Sequence, residues 1–151
     1  MEIRRISHIG VGVRNLGAAK RFFETSFGFK TVEESTGMGL HVAFLAGGAT
    51  PIELIQDEVP GGTIDKFIEK RGEGIHHLCF EVADIRKAME ELRSCGIRFL
   101  DQKPREGAHE ALVAFIHPKD SYGVLIELAE YPGKTEAGFD HSCAGSAQRE
   151  S

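Results

Sequence analysis

The chain contains an internal repeat, and this repeat restricts the possible folds more than any other feature of the sequence. Residues 6–23 (ISHIGVGVRNLGAAKRFF) align with residues 75–92 (IHHLCFEVADIRKAMEEL) at a constant offset of 69 residues. Each segment begins with alternating apolar residues, which are typical of a strand, and then changes to the spacing of an amphipathic helix. The sequence therefore predicts two equivalent strand–helix units.

The repeat continues beyond these helices. The strand-like runs 41–46 and 112–117 share an Ala-Phe pair, and the runs PIELI (51–55) and VLIEL (124–128) place Glu53 opposite Glu127. We expect an α+β fold, a single domain over residues 1–131, in which two tandem βαβββ modules form one mixed β-sheet that lines a cleft. The modules span about residues 3–57 and 74–131 and are joined by 58–73. The small, polar residues of 132–151 predict a flexible tail.

The composition excludes several classes of protein. The chain has 151 residues, and its 18 Lys and Arg against 23 Asp and Glu give a net charge of −5, which argues against a nucleic-acid partner. No apolar run reaches the roughly 18 residues of a membrane helix, and the N-terminus lacks the apolar stretch of a secretory signal. The three widely spaced cysteines form no metal or redox motif, so we expect free thiols and a cytoplasmic location.

Two histidines and two glutamates occupy equivalent positions of the repeat. His8 aligns with His77 and Glu53 with Glu127; each glutamate lies between two apolar residues, and an apolar residue follows each histidine. If the helices cover the apolar faces, all four side chains turn to the opposite side of the sheet and enclose one site. Such a set suits a divalent cation such as Zn²⁺, Co²⁺, Mn²⁺, Ni²⁺ or Fe²⁺. A single His or Glu on a strand is more often structural or solvent-facing, but the symmetric set favours a metal site.

Three further residues lie near the predicted site in the sequence. His76 adjoins His77 but has the opposite strand parity, which predicts that it points away from the site. His41 could line the site or face solvent, because it lies on a central strand with the parity of Ala43. Cys79 has the parity of the site, and we expect a small packing residue there rather than a nucleophile.

Paired βαβββ modules with the order His, Glu, His, Glu resemble the vicinal oxygen chelate superfamily, which includes glyoxalase I, extradiol dioxygenases and bleomycin-resistance proteins. Over about residues 5–131 the chain is most similar to the methylmalonyl-CoA epimerases of that superfamily. The similarity is most specific at KFIEKRGEGIHH (66–77), HPK (117–119) and GVLIEL (123–128). The resemblance implies the vicinal oxygen chelate fold.

The resemblance implies one divalent metal ion bound by His8, Glu53, His77 and Glu127. It also implies that (R)- and (S)-methylmalonyl-CoA are interconverted by 1,1-proton transfer through a metal-stabilised enolate. Glu127 is the first choice for a catalytic base, and the second base is Glu53 or a loop residue such as His109 or Glu110. Val42 stands where some relatives have a carboxylate base, and some epimerases have Gln in place of Glu53.

The resemblance further implies two partners, an acyl-CoA substrate and a second copy of the chain in a homodimer. Lys70, Arg71 and Lys119 are candidate contacts for the substrate, although each could equally be a solvated surface charge. Two other functions suit the same fold, a glyoxalase I-type lactoylglutathione lyase and a metal-free protein that binds a drug or another small molecule. The HPK and RGEGIHH stretches favour the epimerase over the glyoxalase, and the complete ligand set argues against the metal-free protein.

Overall fold

The structure is a computed structural model that describes residues 1–133 of the chain. Its first half contains β1 (Ile3–Gly12), α1 (Leu16–Phe27), β2 (Lys30–Gly37), β3 (Leu40–Ala46) and β4 (Ile52–Asp57). The helix α2 (Thr63–Arg71) joins the halves, and the second half contains β5 (Gly74–Val82), α3 (Ile85–Ser94), β6 (Arg105–Glu106), β7 (Leu112–Ile116) and β8 (Ile126–Glu130). The α+β fold with two tandem βαβββ modules is therefore confirmed. The predicted tail lies almost entirely outside the described residues.

The strands of the described residues form one mixed sheet in the order β2-β3-β4-β1-β5-β8-β7-β6. At its centre β1 and β5 pair antiparallel, and each has a parallel neighbour from its own module, β4 or β8. The register sets Gly10 opposite Glu53 and Cys79 opposite Glu127. Each module therefore brings the glutamate of its last strand beside its own histidine-bearing strand.

The helices α1 and α3 cover one face of the sheet, as the apolar parity of the strands predicts. The buried cluster beneath α1 contains Ala43, Leu45 and Leu54, and the cluster beneath α3 contains Val82, Ala114 and Leu128. Burying one large aliphatic side chain contributes roughly 1.5–3 kcal/mol, so these clusters fix which face of each strand turns to the helices. The opposite face, which we call the inner face, is left for polar side chains.

The helix α2 lies on the inner face, at the end of the sheet where β4 stops. Its Ile64 and Ile68 are buried against Ile55 of β4. The Asp57 carboxylate accepts a hydrogen bond of 2.7 Å from the backbone N–H of Asp65. An acceptor at this point satisfies an N–H group that has no partner within the first turn of a helix. The segment that joins the modules is therefore anchored to the sheet.

Local sequence signals fix the ends of α1 and α3. The side chains of Asn15 and Asp84 accept hydrogen bonds of 2.9 Å from backbone N–H groups in the first turns of α1 and α3. Gly28 follows α1 with a φ of 72°, a left-handed conformation that favours glycine. Within residues 1–133 no helix is long and apolar enough to span a membrane.

Candidate metal centre

Four side chains meet on the inner face, where β1 and β5 pair. His8 Nε2 lies 3.3 Å from Glu53 Oε2 and 3.5 Å from Glu127 Oε2. His77 Nε2 lies 3.2 Å and 3.1 Å from the same two oxygens, and the two Nε2 atoms are 3.2 Å apart. The structure thus brings together the four residues that the repeat pairs, and we call them the His–Glu cluster.

The chemistry of the His–Glu cluster fits a divalent cation. Only 3% to 8% of the surface of each residue is exposed, so bulk water solvates the two carboxylates only weakly. Ligand atoms of His8, His77 and Glu127 all lie within 4.8 Å of one another, and Glu53 Oε2 lies within 3.3 Å of both Nε2 atoms. Imidazole nitrogens mixed with carboxylate oxygens suit zinc and the other late first-row divalent metals.

Hydrogen bonds within the cluster decide its protonation. Burial alone would raise the pKa of Glu53, but hydrogen bonds with His77 and His8 lower it to about 2, and the same partners lower the pKa of Glu127. Burial alone would lower the pKa of both histidines. Hydrogen bonds with the two glutamates raise the pKa of His77, and those with Cys79 and the glutamates raise the pKa of His8. A cation would displace these protons, because it binds neutral imidazole.

A β-bulge in β5 overturns the prediction for His76. Gly10 pairs with His77 and Val11 with Ile75, which leaves His76 as the extra residue in β5. A bulge interrupts the alternation of side chains along a strand, and His76 Nδ1 lies 3.0 Å from His77 Nδ1. Burial and the charge of His77 lower the pKa of His76 to about 4, so its ring is neutral at neutral pH. The prediction that His76 points away from the site is therefore wrong.

The strand β1 has a matching bulge between Ile6 and His8, where Ser7 is the extra residue. Ser7 and His8 are both buried although they are adjacent in the strand. The Ser7 hydroxyl lies 3.4 Å from His8 Nδ1 and 2.7 Å from the hydroxyl of Tyr131, which follows β8. Burial raises the pKa of Tyr131 to about 12, so its hydroxyl stays protonated. Sequence reasoning missed both residues, and the one signal for Ser7 is its place directly before His8.

Aromatic rings border the cluster in both modules. The ring of Phe44 lies 5.3 Å from that of His8, and the ring of Phe115 lies 5.9 Å from that of His77, both edge to face. These two phenylalanines are the aromatic members of the Ala-Phe pairs in the repeat. The symmetry of the polar set therefore extends to its apolar surroundings.

The loop before β7 carries the two other candidate bases. The ring of His109 packs on Phe44 at 4.5 Å, and its Nδ1 lies 2.9 Å from Glu33 Oε2 of the first module. His109 and Glu110 have φ values of 58° and 59°, a left-handed backbone that is uncommon for residues other than glycine. Val42 of β3, which stands where some relatives have a carboxylate base, packs against α2 and offers no proton acceptor. The loop of the second module therefore reaches the first module beside the cluster.

The candidate substrate contacts lie near one end of the sheet. Lys70 and Arg71 end α2, and Lys119 lies in a 3₁₀ turn after β7. All three are exposed. The strands β5 and β8 are parallel, and α2 precedes β5 as the 3₁₀ turn precedes β8, so these basic residues come before strands that begin toward the same end of the sheet. Their role as substrate contacts stays a prediction.

The neighbours of His41 and Cys79 show where each side chain lies relative to the His–Glu cluster. His41 shares its strand parity with Ala43, which packs beneath α1, and its Nδ1 lies 2.8 Å from Thr36 Oγ1. It therefore lies away from the His–Glu cluster.

Cys79 is fully buried in an apolar cluster with residues of β7 and β8, and burial raises its pKa to about 11. The expected packing role of Cys79 is confirmed.

Both the sequence and the fold match known proteins. Residues 7–115, more than half of the chain, match the family model of the glyoxalase/bleomycin resistance protein/dioxygenase superfamily. The chain belongs to this superfamily. The family predicted from the paired modules is therefore confirmed.

Among the similar members of this superfamily are methylmalonyl-CoA epimerases. An ethylmalonyl-CoA/methylmalonyl-CoA epimerase of Cereibacter sphaeroides is 36% identical over 132 residues, which cover 85% of the chain and 98% of the relative. The crystal structure of methylmalonyl-CoA epimerase from Mycobacterium tuberculosis has a TM-score of 0.80 at 36% identity, over 85% of the chain and 88% of that protein. A structure of methylmalonyl-CoA epimerase in complex with methylmalonyl-CoA and NH₄⁺ has a TM-score of 0.81 at 31% identity, over 87% and 97%. The predicted similarity to these epimerases is confirmed.

Proposed function

We propose that the protein is a metal-dependent epimerase that interconverts (R)- and (S)-methylmalonyl-CoA by 1,1-proton transfer. The observation that carries this proposal is the His–Glu cluster, in which two buried carboxylates flank two imidazoles within 3.5 Å. The epimerase relatives, and the similar structure that contains methylmalonyl-CoA, support the choice of substrate.

The metal ligands in this proposal are His8, Glu53, His77 and Glu127. Their mixed nitrogen and oxygen donors are compatible with Co²⁺, Mn²⁺, Zn²⁺, Ni²⁺ or Fe²⁺. When bound there, the cation would act as a Lewis acid that polarises the thioester carbonyl and makes the neighbouring α-proton more acidic.

The two glutamates move the proton in this proposal. Inversion at the α-carbon needs a base on one face of the planar intermediate and an acid on the other. Glu53 and Glu127 come from β4 and β8, which flank the β1–β5 pair on opposite sides. Their lowered pKa values keep both ionised, so each can accept a proton. We assign Glu127 to one face and Glu53 to the other, with transfer at Oε1, since Oε2 of each faces the imidazoles.

The apolar border of the cluster has a separate task. In the first module Phe44 packs against His8, and in the second Phe115 packs against His77. In this proposal the two rings limit the access of water to the His–Glu cluster. Exclusion of water strengthens the interaction between the cluster and a developing negative charge on the substrate. The exposed Lys70, Arg71 and Lys119 would bind the CoA phosphates or the free carboxylate at the end of the sheet.

The test combines elemental analysis with an exchange assay. The purified protein is loaded with Co²⁺ and incubated with methylmalonyl-CoA in D₂O, and deuterium at the α-carbon is measured by mass spectrometry. We expect one metal ion per chain and exchange that stops when a chelator removes the metal. A metal-loaded protein that leaves the α-proton in place, but converts methylglyoxal and glutathione, would be a glyoxalase, and the epimerase proposal would be wrong.

A further inference from the structure

The β-bulges at Ser7 and His76 occupy equivalent positions of the repeat. Ser7 and His76, the extra residues, are 69 positions apart, as are His8 and His77. Both modules therefore keep the bulge although its extra residue differs. In each case this residue lies against the Nδ1 atom of the histidine that follows it, at 3.4 Å for Ser7 and 3.0 Å for His76.

We propose that His76 is a positioning residue for the metal centre, which accepts a hydrogen bond from His77 Nδ1 and thereby aims His77 Nε2 at the cation. This inference rests on the proposed function, because it requires His77 to bind a metal. It assigns a role to a residue whose hydrogen bond to the His–Glu cluster runs through His77.

The hydrogen-bond chemistry of imidazole fixes the direction of this contact. A neutral imidazole has one N–H donor and one acceptor nitrogen, so a contact of 3.0 Å between two Nδ1 atoms needs one donor and one acceptor. His77 Nε2 faces the glutamates, and an imidazole that binds a cation through Nε2 carries its proton on Nδ1. His76 Nδ1 is therefore the acceptor, and its own proton lies on Nε2. Such outer partners fix the tautomer and the orientation of a metal-binding ring.

The ring of His76 is itself held by the segment that joins the modules. Phe67 of α2 meets it edge to face at 4.8 Å, and the helix is anchored by the buried Ile64 and Ile68. A Cβ atom at Gly12 of β1 would lie 3.3 Å from Phe67, so the glycine leaves room for this ring. The rings of His76 and His77 are nearly perpendicular, at 89°. A chain of contacts thus runs from α2 through His76 to His77.

Three variants test the inference. His76→Phe keeps a ring against Phe67 but removes both nitrogen atoms, and His76→Asn keeps an acceptor close to the position of Nδ1. Ile75→Ala is the control, because Ile75 is the exposed neighbour of the bulge. Co²⁺ affinity is measured by competition with a chelator, and the geometry of the site by the visible absorption of bound Co²⁺.

We expect His76→Phe to weaken Co²⁺ binding by about 10- to 100-fold, the usual effect of removing a residue that hydrogen-bonds to a metal ligand. The absorption spectrum of the bound Co²⁺ should also shift. His76→Asn should restore most of the affinity, and Ile75→Ala should bind as the wild type does. If His76→Phe binds Co²⁺ with wild-type affinity and spectrum, the positioning role is wrong. If the wild-type protein binds no Co²⁺, the proposed function itself fails.

A measurement on the unaltered protein keeps the test independent of how the variants fold. In a long-range ¹H–¹⁵N spectrum of the Zn²⁺-loaded protein, His77 should carry its proton on Nδ1 and His76 on Nε2. A His76 with its proton on Nδ1 could not accept from His77, and this result would overturn the inference.

Discussion

A Cβ atom placed on Gly10 would overlap the imidazole ring of His77, with His77 Nε2 only 2.8 Å away. The two residues face each other across the β1–β5 pair. At the equivalent position of the other module stands Cys79, opposite His8. The two modules are therefore symmetric in their candidate ligands but differ in the residue that pairs with each histidine. His77 leaves room only for a glycine, whereas a cysteine side chain fits opposite His8.

Gly10→Ala should damage the metal centre because the His77 ring must move. Overpacking of this kind costs typically 1–3 kcal/mol of folding free energy, and the displaced Nε2 should lower the affinity for Co²⁺. Urea unfolding and a Co²⁺ titration measure the two effects. Gly17→Ala is the matched control, because a Cβ at Gly17 meets atoms only at 3.6 Å, and alanine in the first turn of α1 should leave both the stability and the Co²⁺ affinity close to those of the wild type. Wild-type Co²⁺ affinity in Gly10→Ala would contradict this prediction.

Removal of an imidazole should remove the metal. His77→Ala should lose most of its affinity for Co²⁺, since the cluster then has one nitrogen ligand and a space where the ring was. The double variant His8→Ala/His77→Ala should bind no stoichiometric metal, as measured by elemental analysis after dialysis. Full metal content in the double variant would show that the ligands lie elsewhere.

Glu127→Gln separates the two roles that we propose for this glutamate. The amide keeps an oxygen ligand but cannot accept a proton. Metal binding should weaken modestly, whereas α-proton exchange should fall by on the order of 10²-fold or more, the usual scale for a general base. Metal content and deuterium incorporation are measured on the same preparation. A metal-loaded Glu127→Gln that exchanges at the wild-type rate would leave Glu127 as a ligand only, and Glu53 or the 106–110 loop would supply the base.

The two cysteines of the described residues should differ in reactivity. Cys79 is fully buried and burial raises its pKa to about 11, so at about pH 8 it stays a thiol, whereas the thiolate is the form that reacts with iodoacetamide. Cys95 is exposed. Peptide mass mapping of the folded protein should find Cys95 alkylated and Cys79 intact, and both alkylated in denaturant. Equal rates for the two in the folded protein would mean that Cys79 is accessible.

We also predict a homodimer. The strands β2 and β6 are the edges of the sheet, and an uncovered edge favours association with another chain. Sedimentation equilibrium at micromolar concentration should give twice the chain mass of 16.5 kDa. A monomer mass across that concentration range would be the opposite result.

Two physical rules explain why the sequence predicted the fold and the composition of the His–Glu cluster. An internal repeat fixes which residues are equivalent, and strand parity fixes which of them share a face. These two rules place His8, Glu53, His77 and Glu127 on the side of the sheet that the helices leave open. The distances between their side chains agree with that arrangement.

The same parity rule failed where the strands contain an extra residue. Nothing in the alternation of β5 marks the bulge at His76, and the bulge of β1 likewise hides the contact between Ser7 and Tyr131. A bulge is stabilised by pairing with another strand, which a single stretch of sequence does not contain. The position of His109 escaped prediction in the same way, because its contact with Glu33 joins residues of different modules through a loop with left-handed backbone.

The pairing of β1 with β5 also dictates when the His–Glu cluster can exist. Each module supplies one imidazole and one carboxylate, and the two histidines are 69 residues apart in the chain. Contacts between distant residues form only after the entropy of closing the intervening chain has been overcome. During synthesis, the first module therefore leaves the ribosome with two of the four proposed ligands, and a cation would have no complete site until the second module has folded against it. Under the proposed function, a cation would therefore meet all four ligands only after β1 and β5 have paired.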